Sequence, residues 1–207
     1  MGLSEHIAPV VLEKLGAGFE KLPAVSEGRR RLVAPASGRV LEVGVGPGWN
    51  LPYYPPVEEL VATDALDGML ERAERRAGRA VVTRRATVEE LPFEDGSFDT
   101  VVASLLLCSV RDQDRAIGEI RRVLRPGGQY LFLEHVRSDD PALARKQDRW
   151  RRTWSVIGFG CNPNRETLPR IEAQFDLAEV ARDELPKGPK IVRPYVLGRA
   201  VKPATPV

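Results

Sequence analysis

The densest chemical signal in the chain is the run Glu42-Val43-Gly44-Val45-Gly46-Pro47-Gly48-Trp49-Asn50, followed at a short distance by Asp64. Gly44 and Gly46 take the Cβ out of the path of an approaching ligand. The apolar segment Arg39-Val40-Leu41-Glu42-Val43 runs into this loop as a strand. In open parallel sheets, ligands bind at the carboxyl ends of such strands. Asp64 closes a second strand, Leu60-Val61-Ala62-Thr63-Asp64. Its carboxylate can accept both hydroxyls of a ribose. A strand-end cap is the structural alternative, and pairing with the glycine loop favours the ribose.

The nearest competing pattern is the dinucleotide fingerprint GxGxxG, whose last glycine lets the following helix pack closely on the strand. Trp49 stands at that position and is far too large for the role. The spacing here is GxGxG, with a glutamate two residues upstream. A ligand without phosphate also needs no clear helix N-terminus to hold one. The pattern therefore favours S-adenosylmethionine over a nicotinamide or flavin dinucleotide. Met69, in the helix after Asp64, is placed to pack on an adenine, with core packing as the alternative.

Residues 40–134 resemble the class I S-adenosylmethionine-dependent methyltransferases. The resemblance is carried by VLEVGVGPG, VATDALDGML, ELPFEDGSFDTVV and RRVLRPGG, in that order and spacing. It implies a Rossmann-like α/β fold: a seven-stranded, mostly parallel sheet with a C-terminal antiparallel hairpin and helices on both faces. It implies S-adenosylmethionine as cofactor, with S-adenosylhomocysteine as product. Gly44, Gly46 and Gly48 would border its methionine part with Glu42 beneath, and Asp64 would bind the ribose. Asn50, Ala65, Met69, Thr87, Val88 and Ser104 complete the expected cofactor set. Close relatives carry Gly-Asp-Ala before the LPF motif, and that aspartate holds the adenine amino group. Here the segment is Ala86-Thr87-Val88-Glu89, so a neutral hydroxyl replaces the charge and the contact is weaker.

Beyond the cofactor half, Leu106-Leu107-Cys108-Ser109-Val110, Leu133-Glu134-His135-Val136, residues 160–166 and Val192-Arg193-Pro194-Tyr195 are similar to a narrower group. It comprises the methyltransferase-like thiol S-methyltransferases of animals and bacterial relatives acting on phospholipids or small molecules. The animal members add a membrane-anchoring N-terminus, which this sequence is expected to lack. The resemblance implies methyl transfer to a small, fairly apolar acceptor, with a thiol favoured. O- or N-methylation of a small metabolite or of phosphatidylethanolamine is the alternative, and a non-catalytic subunit that only binds S-adenosylmethionine is a remote one.

A thiol is partly ionised near neutral pH and needs little help, whereas a hydroxyl or amine gains more from a base. His135, directly after a strand, is the base candidate; orienting a loop is its alternative role. Cys108, Trp154, Asn162 and Arg165 are the further acceptor-side candidates, with His135 among them. Cys108 also reads as a small apolar wall. Asn162 and Arg165 read equally as a helix cap and a surface ion pair. No metal is expected: Cys108 and Cys161 lie far apart without CxxC spacing, so neither a disulfide framework nor a zinc site follows.

These side chains must be positioned by alternating elements. Helices are expected over residues 3–15, 26–34, 67–77, 112–124 and 140–157. Strands are expected over 39–43, 60–64, 80–83, 98–104 and 129–134, with two more apolar stretches over 175–180 and 192–201. The Arg125-Pro126-Gly127-Gly128 turn stops the fourth helix. The fifth places Leu143, Trp150, Trp154 and Ile157 on one stripe. Its basic run, residues 145–152, could touch an anionic membrane surface, but a buried stripe with a solvated face is the better reading. Strand–helix alternation argues for a doubly wound parallel sheet.

The 207 residues suit one domain, with residues 1–35 as a helical lid, 36–135 as the cofactor half and 136–207 as the acceptor half. The 31 basic and 29 acidic side chains are too balanced to imply nucleic acid. The longest apolar stretch, residues 101–110, is about half a membrane span. A cytoplasmic protein of bacterial composition is expected, and nothing in the sequence sets its oligomeric state.

Overall fold

The computed structural model describes residues 10, 13, 14, 16–18 and 20–204. The helix expected over residues 3–15 lies largely outside them. Val10, Glu13 and Lys14, which are described, are helical.

Seven strands form a single sheet in the order β3-β2-β1-β4-β5-β7-β6. They are β1 (Arg39–Val43), β2 (Glu59–Asp64), β3 (Val82–Arg85), β4 (Phe98–Ser104), β5 (Leu124–His135), β6 (Asp176–Glu184) and β7 (Pro194–Val201). The first five are parallel, and β7 runs antiparallel between β5 and β6. The helices are α1 (Pro23–Val33), α2 (Asp67–Ala77), α3 (Gln113–Val123), α4 (Pro141–Ile157) and α5 (Thr167–Glu172). The Rossmann-like sheet with a closing antiparallel hairpin is therefore present. The short helix α5 was not expected from the sequence. The β4–β5 pairing is irregular between Phe98 and Thr100, opposite the Arg125-Pro126-Gly127-Gly128 segment, which lies inside β5 rather than before it as expected.

Period-two side-chain alternation splits the core between the two faces. Val40, Ala62, Val102 and Leu131 face α1 and α2, packing with Leu32, Val33, Leu70 and Ala73. Leu41, Val61, Val101, Tyr130 and Phe132 face the other way, against Ile117 and Ile120 of α3 and Ile171 of α5. Strand order reverses between β1 and β4, so a crevice opens at their carboxyl ends.

Helix α4 departs from the expected buried stripe. Asp140 caps it through Ala142 N–H at 2.8 Å, and Gly158 follows its last turn as anticipated. Yet only Ala144 and Gln147 are buried, while Trp150, Val156 and Ile157 are exposed. The helix is held by a polar anchor instead. Gln147 Nε2 reaches the carbonyls of Val136, Pro163 and Ile191 at 2.9–3.1 Å, and its Oε1 accepts from Ser138 N–H at 2.8 Å.

Candidate functional site

The glycine loop leaves β1 at the crevice. Gly44, Gly46 and Gly48 all have positive φ, at 62°, 54° and 80°. The three have different reasons for lacking a side chain. A Cβ on Gly44 would stand 2.5 Å from Leu106, and one on Gly48 would stand 2.7 Å from the Ala73 backbone in α2. Gly48 thus performs the close strand–helix packing that the dinucleotide pattern assigns to a later glycine. A Cβ on Gly46 would meet nothing within 4 Å among the described residues. That position opens onto free space.

Asp64, at the end of β2, clasps this loop. Its Oδ2 accepts from Gly46 N–H at 2.9 Å and its Oδ1 from Leu66 N–H at 3.0 Å. Burial pushes its carboxyl up, opposed by these N–H donors. Glu42 lies fully buried beneath the loop. Asn50 Nδ2 donates to its Oε1 at 2.8 Å, and the buried Tyr54 hydroxyl is a second polar neighbour of the carboxyl. Burial pushes the Glu42 carboxyl up to about 7, against hydrogen bonds from Asn50 and Tyr54 and the charge of Arg29.

Asn50 is itself held from α1. Arg29 Nη1 donates to Asn50 Oδ1 at 2.7 Å and to Ser104 Oγ at 3.4 Å, and the same guanidinium pairs with Glu20 at 2.5 Å. Sequence reasoning missed Arg29 because it sits inside a basic run, Arg29-Arg30-Arg31, that reads as a solvated face. Only its position on the inward face, next to buried Leu32 and Val33, distinguishes it. Of the remaining expected cofactor residues, Met69 and Val88 are buried, whereas Ala65 and Thr87 are exposed.

The second part of the site lies at the ends of β4 and β5. Here the structure corrects the view of the cysteines as unrelated. Cys108 and Cys161 meet around His135, and the three ligating atoms lie within 4.8 Å of one another. His135 Nδ1 stands 3.6 Å from Cys161 Sγ and 3.9 Å from Cys108 Sγ, and its Nε2 is buried without a partner. Contact between the thiols pushes Cys161 down and Cys108 up.

Both cysteine loops contain a non-glycine residue in the left-handed region: Leu105 at φ 55° and Phe159 at φ 51°. Such backbone is costly and needs external support. Glu134 supplies it for the first loop, accepting from Leu106 and Leu107 N–H at 3.0 and 2.9 Å and from Cys108 N–H at 3.3 Å. Burial pushes Glu134 up to about 7 against those donors. The second loop docks on the first. Asn162 N–H donates to Cys108 O at 2.8 Å, and Arg165 donates to the carbonyls of Leu107 and Val110 at 2.5 and 2.6 Å. Asn162 Nδ2 donates to Gly160 O at 2.7 Å. The polar ends of Asn162 and Arg165 are therefore engaged with the protein's own backbone. Trp154 is half-buried, and its buried indole N–H helps hold the Cys161 thiol down.

The first part fits S-adenosylmethionine, the group implied by the sequence. Open space above Gly46, a buried carboxyl at Glu42 and a strand-end carboxylate at Asp64 meet the needs of a cationic amino-acid nucleoside. Among the described residues, no helix is long and apolar enough to cross a membrane.

Comparison with known proteins agrees with this geometry. Residues 41–132 match a family model described as a methyltransferase domain. The chain is 37% identical over 179 residues to the human thiol S-methyltransferase TMT1B, covering 81% of this chain and 72% of the relative. It is 35% identical over 144 residues to the phosphatidylethanolamine N-methyltransferase of Cereibacter sphaeroides, covering 65% and 71%. Among solved structures, an S-adenosylmethionine-dependent methyltransferase of Thermotoga maritima, described as a possible histamine N-methyltransferase, shares the fold. Its TM-score is 0.72 at 22% identity, covering 95% of this chain and 98% of that one.

Proposed function

The chain belongs to the S-adenosylmethionine-dependent methyltransferases, and from that premise we propose that it methylates the sulfur of a small, fairly apolar thiol. One observation carries this reading. The ends of β4 and β5 bring together two thiols and an imidazole, Cys108, Cys161 and His135, with no free carboxylate among them. An ammonium acceptor would call for a free carboxylate there, but Glu134 is occupied by three backbone N–H groups. The similarity to a human thiol S-methyltransferase supports the same choice.

Residues 36–135 form the cofactor half, residues 136–207 the acceptor half, and residues 1–35 a lid fastened through Arg29. Gly44, Gly46 and Gly48 shape the methionine side, with Glu42 and Asn50 beneath. Asp64 turns from the loop to the ribose, while Ala65, Met69, Thr87, Val88 and Ser104 line the remainder. Bound S-adenosylmethionine supplies an activated methyl on a sulfonium. The chain's own contribution is position and exclusion of water. Cys108, Trp154, Asn162 and Arg165 frame the acceptor. His135 Nε2 is free to receive the thiol proton as the new carbon–sulfur bond forms and the carbon–sulfonium bond breaks.

Incubation with methyl-labelled S-adenosylmethionine and a panel of thiols, phenols and phosphatidylethanolamine vesicles tests this. Label is expected in a thioether. Label in phosphatidylethanolamine or a phenol alone, with none in any thiol, would overturn the thiol assignment.

A further inference from the structure

We propose that Cys108, Cys161 and His135 form a binding site for a thiophilic divalent ion such as Zn²⁺, with its fourth position left for the sulfur of the acceptor. The first part stands on the cluster itself, and the second rests on the thiol reading above.

Tetrahedral zinc holds sulfur at about 2.3 Å and imidazole nitrogen at about 2.0–2.1 Å, which sets neighbouring sulfur and nitrogen atoms roughly 3.6 Å apart. The observed separations from His135 Nδ1 are 3.6 and 3.9 Å. All three donors lie within 4.8 Å of one another, so one ion can reach them with small side-chain rotations. Both thiols are free, and both are buried. Two buried thiolates and a dication make a neutral unit, which removes the penalty of burying unpaired charge.

The surroundings hold the donors in place. Glu134 pins the Cys108 loop, and the Asn162 backbone N–H ties the Cys161 loop to Cys108. Both loops pass through left-handed backbone at Leu105 and Phe159, strain that fixes where each thiol stands. Glu134 and the Arg165 guanidinium supply opposite charges around the cluster.

Three protein ligands and one open position are the pattern of zinc sites that act on a substrate. The cluster sits at the ends of β4 and β5, and β4 is the immediate neighbour of β1, which carries the cofactor loop. Adjacent strands are about 4.8 Å apart. An ion there stands beside the methyl-donor site. Loading releases the two cysteine protons to solvent. A thiol entering the fourth position loses its own proton on coordination. In that form His135 serves as a ligand through Nδ1, the proton of the coordinated acceptor thiol leaves to solvent, and no protein base is needed.

The test is a titration of the reduced, metal-stripped protein with Co²⁺ and Zn²⁺. The result expected is one ion per chain and a thiolate-to-cobalt charge-transfer band. Cys161→Ser and Cys108→Ser should each weaken the ion at least about 100-fold, the upper end of what even an outer-shell change costs. Circular dichroism and S-adenosylmethionine affinity report whether each variant is folded. Substoichiometric metal, unchanged affinity in folded serine variants, or a Cys108–Cys161 disulfide in place of metal uptake would overturn the site. A small alkyl thiol should then shift the cobalt spectrum, whereas the matching alcohol should not. No shift with the thiol would remove the open-position assignment while leaving the ion site standing. Thiol methylation that proceeds undiminished in the stripped protein would do the same. Metal uptake without any thiol methylation would count against the acceptor reading alone.

Discussion

The two regions proposed above as the cofactor side and the acceptor side meet at Leu106, whose side chain covers Gly44, yet they are assembled on different principles. On the cofactor side the defining groups are close in sequence. Glu42, Gly46 and Asn50 share one strand and loop, and Asp64 comes from the next strand. On the acceptor side, Cys108, His135 and Cys161 come from three separate segments and meet only because β4 and β5 are neighbours and the loop after α4 folds back. Local chain geometry holds the first arrangement. The second depends on a buried carboxylate, Glu134, and on one loop docking against another. Damage should therefore spread differently on the two sides.

The largest effect is expected at Glu134. In Glu134→Ala, the N–H groups of Leu106, Leu107 and Cys108 lose their acceptor inside the protein. Leaving buried donors unpaired costs about 1–3 kcal/mol each. A loss of roughly 3–6 kcal/mol is expected, measured by denaturant unfolding. Glu134→Gln keeps one acceptor oxygen and should recover part of it. A small loss in both variants would show that the acceptor side does not rest on this carboxylate.

Next comes the pH dependence, to which each side contributes one carboxyl. Burial pushes both Glu42 and Glu134 up to about 7 from 4.5. Between those values the folded protein keeps protons that the unfolded chain has lost. Stability must therefore fall as pH rises from about 4.5 through about 7. Each carboxyl can account for up to about 3 kcal/mol, at 1.36 kcal/mol per pKa unit. Unfolding midpoints taken across this window without S-adenosylmethionine should decline, and Glu42→Gln should flatten the slope by its share. An unchanged slope in Glu42→Gln would assign the whole dependence to the acceptor side.

Gly46→Val tests the cofactor side alone. A Cβ there meets nothing within 4 Å among the described residues, so the principal effect expected of the side chain is to fill the space open to ligand. The left-handed backbone adds about 1–2 kcal/mol of strain. S-adenosylmethionine affinity should fall at least about 100-fold by calorimetry, equivalent to about 2.7 kcal/mol. The pH slope of stability should persist. Retained affinity would mean that the cofactor does not approach Gly46.

The same contrast explains what could be read in the sequence. The strand–helix alternation, the glycine loop and the place of Asp64 at a strand end were legible because their signals are local: apolar runs, helix breakers and a compact motif. The bounds 39–43, 67–77 and 98–104 coincide with β1, α2 and β4. Arg29 and the Cys108–His135–Cys161 cluster were not legible. Nothing in an arginine run marks the member that turns inward, and nothing in a cysteine marks its partner 53 residues away. Those facts belong to tertiary packing. Arg165 shows the converse: its type suggested an anion site, while the fold directs its donors to two carbonyls.

The smallest effect is expected on α4, where periodicity pointed to the wrong anchor. Leu143, Trp150, Trp154 and Ile157 make a helical stripe, but Trp150 and Ile157 are 51% and 61% exposed. The helix is fixed instead by Gln147, fully buried and bonded through both ends of its amide. A glutamine inside a run of charged residues carries no periodic signal, whereas tryptophans do. Trp150→Ala should therefore change stability by no more than about 0.5 kcal/mol, the range of surface substitutions. Gln147→Leu, nearly equal in size, should cost far more, because it leaves the carbonyls of Val136, Pro163 and Ile191 without their donor. Thermal unfolding of the two variants side by side decides the matter. If Trp150→Ala proved the more damaging, α4 would be held by its apolar stripe after all. The region around Cys161 would then rest on hydrophobic packing rather than on buried polar anchors, and the distinction between the two regions would fail at this helix.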